Sequence, residues 1–248
     1  MVHRRDRASD SLFLLVRSRA AEGAYCQFRT LLEVASYLYT SALSEEPYSG
    51  VTGSIRCRRY ELCMHPVLQH VSDAWAQELS GRDAAWCQLH PFGNVRQWSA
   101  QELIEHLVLT YKSTSLLLEE RLEKRRPTRS HSTFTQWVLQ ICVLSLGRMP
   151  SGVPAPGNTR PGRLNWPPMT GEELAAKLSE GLQQMDTLLD QCRHRFGIQR
   201  VTSHFFFGPL RVDQWRRFHV VHGHHHLRQF RRLKRTAAPL PDTSHPAT

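Results

Sequence analysis

The sequence predicts an all-α protein, a helical bundle of about 170 residues set within a chain of 248. Three observations predict it. Four stretches repeat apolar residues at helical spacing, two helix starts carry capping boxes, and no stretch alternates polar and apolar residues convincingly enough for a strand.

Residues 1–63 mix short apolar runs with Arg and Gly and commit to no period, so they are expected to be an N-terminal extension without firm order. Met64 is one candidate for the true translation start. From Met64 onward Val67, Leu68, Val71, Trp75 and Leu79 share one helical face, and Gly81 supplies a stop, giving a first helix over about 65–80. Ser99 and Glu102 form an S-x-x-E capping box, so a second helix starts near Ala100. It carries Leu103, Ile104, Leu107, Leu109 and Leu116 to Leu118, and Pro127 ends it near Arg125.

The apolar stretch Phe134 to Leu146 is expected to form a helix of about three turns. Residues 148–169 hold six prolines and three glycines, too punctuated for regular structure. Thr170 with Glu173 repeats the capping box, and Leu174, Leu178, Leu182, Met185, Leu189 and Cys192 mark one face of a long helix ending near Gly197. The last helix is predicted from an Asp213 cap to about Lys234, with its basic end against the negative pole of the helix dipole. Residues 64–235 make the expected bundle, and 236–248 a disordered tail.

Composition narrows the function classes. No apolar run approaches the ~18–20 residues that span a bilayer, so no membrane partner is expected. Arg4, Arg5 and Arg7 precede the run Leu12 to Val16, which is too short for a signal peptide, and the expected location is cytoplasmic. Six cysteines occur without a C-x-x-C pair, which suits a reducing compartment. The net charge of +10 is local: residues 211–235 hold 8 basic residues and 1 acidic residue. That stretch raises a nucleic-acid reading, but no recognised binding motif accompanies it, and the bland reading is the solvated outer face of an amphipathic helix.

Histidine usage carries the chemistry, with five of the 14 in the last helix. At about 100° per residue Trp215, Phe218, His222, His226, Gln229 and Leu233 fall on one line, facing the core. Arg216, Arg217, Arg231, Lys234 and Arg235 fall opposite, with His224 as a solvated residue among them. His222 and His226 stand one turn apart, the spacing with which two imidazoles share one metal ion. His106, among Leu103, Leu109 and Leu117 on the second helix, is the best third ligand, because a buried imidazole needs a partner. His219 or His225 could replace either helical partner, and Gln229 is placed to support a ligand or touch substrate. No Asp or Glu is expected within the ligand turns as a general base.

Two segments resemble the DinB-like superfamily. His204-Phe-Phe-Phe-Gly208-Pro-Leu, Gln214-Trp215 and the run from His222 to Phe230 look like its C-terminal signature, closest to a bacterial branch whose last helix reads H-x-x-H-H-x-x-Q. Trp98 to Glu102 leading to Glu105-His106-Leu107 is similar to its second-helix motif. The resemblance spans about 64–235. It implies a four-helix bundle in up-down-down-up order and a divalent ion, zinc or nickel before iron, on His106, His222 and His226, with Gln229 and His225 beside them. It further implies a metal-dependent hydrolase or a transferase using a low-molecular-weight thiol, acting on a small molecule. Arg211-Val212 departs from the Ser or Thr helix cap of relatives. A homodimer is the default for a small bundle, and a metal-free interaction bundle is the alternative from another class.

Overall fold

Three capping boxes, one histidine and one aspartate start five of the helices of this protein, in a computed structural model that describes residues 64–91, 94, 97–150 and 152–236. The expectations for 1–63 and 237–248 lie outside the described residues. Helix α1 spans Pro66–Leu79, with the His65 ring accepting from the Val67 amide and proline at the first position, where a missing N–H costs nothing. Asp83 caps a single turn, α2 (Ala84–Cys87). Ser99 and Glu102 close their box on α3, Ala100–Glu123. Thr133 and Gln136 close another on α4, Phe134–Leu139. Thr170 and Glu173 start α5, Gly171–Phe196, which stops at Gly197 with φ of 61°.

Residues 134–146 are not one regular helix. After α4 the chain widens into a π-helical turn, Gln140–Ser145. There the Leu144 carbonyl accepts from Arg217 Nε at 2.7 Å, and buried Gln140 donates to the Phe207 carbonyl while accepting from Gln214.

The expectation of no strand is corrected by a short antiparallel hairpin, β1 (Arg200–His204) and β2 (Gly208–Arg211), with His204 opposite Gly208. Two isolated strands are marginal in water, so packing supports them. Val201, Phe207 and Leu210 are buried in the core. Helix α6 then runs Val212–Thr236. It begins one residue before Asp213, so Asp213 is not the cap. Gln214 reaches back to accept from the Arg211 amide instead, and Asp213 pairs with Arg193. The helix also includes Thr236, the first residue assigned to the tail.

Cross-links fix the helix directions. The start of α3 meets the segment before α5, where Gln101 bonds Pro167 and Met169, and Thr128 beyond α3 bonds Val201 beyond α5. Helices α3 and α5 are therefore parallel. Gly171 at the start of α5 donates to Arg82 just after α1, which runs antiparallel. Glu78 near the end of α1 accepts from Arg231 and Lys234 near the end of α6, so those two are parallel. The order is up-down-down-up, as predicted. Among the described residues no helix is long and apolar enough to cross a membrane.

The four long helices close on Leu68, Trp75, Leu107, Tyr111, Leu178, Met185, Trp215 and Phe230, all buried. Gly223 lets α6 approach α1: a Cβ there would stand 2.7 Å from Val71 Cγ1. Cys87, Cys142 and Cys192 are buried free thiols. One charged cluster lies inside. Arg216 was expected on the outer face, but it is 5% exposed and donates to Asp186 at 2.7 Å and to Asp190 at 2.5 Å. Asp186 also accepts from the His65 amide at 2.6 Å, which ties α1, α5 and α6 together.

Candidate metal centre

Helical phase carries His222 and His226 to the inner face of α6, and α3 presents His106 from across the bundle. All three are at most 6% exposed. The Nε2 atom of His222 lies 3.1 Å from that of His106 and 2.9 Å from that of His226.

Each outer imidazole is held by its other nitrogen. His106 Nδ1 lies 2.7 Å from the Thr159 carbonyl, to which it donates. Thr159 ends a 3-10 turn, Gly157–Thr159, in the proline-rich segment. His226 Nδ1 lies 2.8 Å from Gln229 Oε1, and Gln229 Nε2 is 3.1 Å from His225 Nε2. The amide and imidazole tautomers follow from this network. Both outer rings then turn an Nε2 lone pair inward.

That arrangement sets a constraint on His222. It can place one proton at Nε2, so only one of its two close contacts is a hydrogen bond and the other opposes two lone pairs. Its Nδ1 has no partner among the described residues. Three convergent lone pairs fit a divalent cation, which accepts all of them and frees the His222 proton for Nδ1. His106, His222 and His226 form a group that could hold a metal ion.

Aromatic packing fixes the rings further. Trp98 packs on His106 and His226 at 4.9 and 6.0 Å between centroids, and Phe218 stacks on His222 at 5.4 Å. Burial pushes all three imidazoles below the ordinary histidine range. The bond to Thr159 partly opposes this at His106, while neighbouring histidines reinforce it at His222 and His226. The trio lines a cleft of about 1580 Å³ whose walls include Trp98, Leu117, Met149 and Phe218.

A DinB superfamily model matches residues 67–230. The chain belongs to the DinB superfamily. The match covers α1 through most of α6, including all three histidines, and leaves 1–66 outside. Comparison with curated proteins and with solved structures found no match.

Of the other histidines of this DinB chain, His224 departs from its sequence placement. His224 is not a solvated residue: it is half-buried, its ring 6.3 Å from that of His70 and its Nε2 shielded without a partner among the described residues. His219 lies outside the trio, fully buried between Tyr111 and Trp215, with both ring nitrogens unpartnered among the described residues. His225 reaches the cleft and the amide of Gln229.

Glu105 entered the sequence reading only as part of the second-helix motif, with no role assigned. It is 5% exposed, and its carboxylate accepts from the amides of Gly162, Arg163 and Leu164 at 2.9, 2.7 and 2.7 Å. Those bonds hold the segment that carries Thr159. The carboxylate is therefore committed to backbone. Its adjacency to His106 and its place in that motif were the available signals.

Proposed function

We propose that this protein is a metal-dependent enzyme in which His106, His222 and His226 hold one divalent ion, zinc or nickel before iron. The convergence of three Nε2 atoms in the wall of a large cleft carries the proposal. Three imidazoles leave a coordination position open, as catalytic sites do. A divalent ion there would lower the pKa of a water or thiol at that position and so supply a nucleophile near neutral pH.

The chain's own residues supply position and exclusion of water. Thr159 and Gln229 fix the tautomers of His106 and His226, while Trp98 and Phe218 shield the ring faces. His225, turned into the cleft and bonded to Gln229, contacts a small-molecule substrate. The reaction class is hydrolysis or transfer to a low-molecular-weight thiol. A cytoplasmic location, where the free cysteines stay reduced, and a homodimer complete the proposal.

Full-length protein loaded with zinc or nickel is assayed against chromogenic esters and against an aryl halide with a small thiol. The expected result is turnover that a chelator abolishes and that His226→Ala lacks. Equal rates in chelated and loaded protein contradict the proposal.

Glu105→Gln isolates the support of His106. The amide presents one acceptor oxygen where three backbone donors converge, so stability falls by about 1.5–3 kcal/mol. Zinc affinity falls by about 10–100-fold. Denaturant unfolding and competition with a zinc indicator check the two effects, and an unchanged affinity removes Glu105 from the site.

A further inference from the structure

The cations of α6 are divided by their partners. Arg216 is bound by Asp186 and Asp190, and Arg231 and Lys234 by Glu78. Arg232 and Arg235 have no acidic partner among the described residues, and both line the cleft that holds the histidine trio. Arg160 lines it as well, its Nε donating to the Ala155 carbonyl at 3.2 Å. No Asp or Glu lines this cleft among the described residues, whereas apolar and aromatic side chains dominate it. A low-dielectric cleft with one sign of charge focuses potential toward the opposite sign.

Helical geometry gives the spacing. Arg232 follows His225 by seven residues, two turns on nearly the same stripe and roughly 10 Å along the axis. Arg235 lies about one further turn along.

We propose that the cleft takes an amphiphilic small molecule, its apolar body against Trp98 and Leu233 and its anionic end at Arg232 and Arg235. This deepens the enzyme reading by naming the substrate class. The reacting group lies at the histidines and the anion about two turns away along α6. A carboxylate or phosphate group matches the guanidinium fork.

Octanoate, octanamide and octylammonium are the probes, titrated into the full chain with and without zinc, with tryptophan fluorescence reporting through Trp98. Octanoate binds at least about tenfold tighter than octanamide, and octylammonium binds weakest. Arg232→Gln with Arg235→Gln removes the advantage of the acid and leaves octanamide unchanged. Equal binding of acid and amide overturns the proposal, and so does a preference that survives in the double variant, which puts the carboxylate on a bound ion. Zinc uptake without acid preference defeats this inference alone. Acid preference in protein that takes up no zinc defeats the metal reading alone.

Discussion

Replacing Arg216 with leucine lowers the unfolding free energy by about 3–5 kcal/mol. The guanidinium is buried, and its loss leaves the Asp186 carboxylate, 2% exposed, with only the His65 amide as a donor among the described residues. Asp190 contributes little, because it is 60% exposed and water replaces its partner. The cost is that of an orphaned buried charge, so Arg216→Leu combined with Asp186→Leu recovers part of the loss. Denaturant unfolding of the two variants tests this. A single variant within about 1 kcal/mol of the parent means the cluster does not hold α1, α5 and α6 together.

The second large effect is acid lability. Burial pushes His204 down to about 4 and His219 to about 3, from an ordinary 6.5. The unfolded chain takes up those protons below 6.5 while the folded chain does not. Their contribution to stability is therefore complete above pH 6.5 and is lost as pH falls toward 4 for His204 and toward 3 for His219. Each such group steepens the decline by about 1.4 kcal/mol per pH unit. His219→Leu, which also removes two unpartnered polar atoms from the core, makes the slope between pH 6 and 4 shallower by one proton. Unfolding curves at several pH values measure it, and an unchanged slope shows that His219 is protonated in the folded protein.

The parts legible in sequence were those fixed by helical phase. His222 and His226 face inward because residues one turn apart share a side, and His106 because leucines flank it. Two capping boxes marked α3 and α5 for the same local reason. Arg216 was misplaced because a single narrow inward-facing line was assumed. Helix α6 packs on α1, α3 and α5, which buries a wider arc and takes in Arg216, His219 and Gly223.

Nonlocal partners left no pattern. Glu105 finds its donors near residue 163, and His106 finds Thr159, across a segment that reads only as proline-rich. The hairpin escaped because Phe205 to Phe207 form its turn rather than a strand, with Phe205 81% exposed and Phe207 buried. Family resemblance supplied the up-down-down-up order, which no single helix encodes. The cross-links at Gln101 and Thr128 bear it out.

The central claim is that three imidazoles hold one ion. The decisive measurement is the metal content of full-length protein made without an affinity tag or nickel column, beside a His222→Ala, His226→Ala variant. The account predicts about one equivalent of zinc or nickel in the parent and none in the variant. A folded parent that neither contains a divalent ion nor takes up zinc or nickel would contradict it.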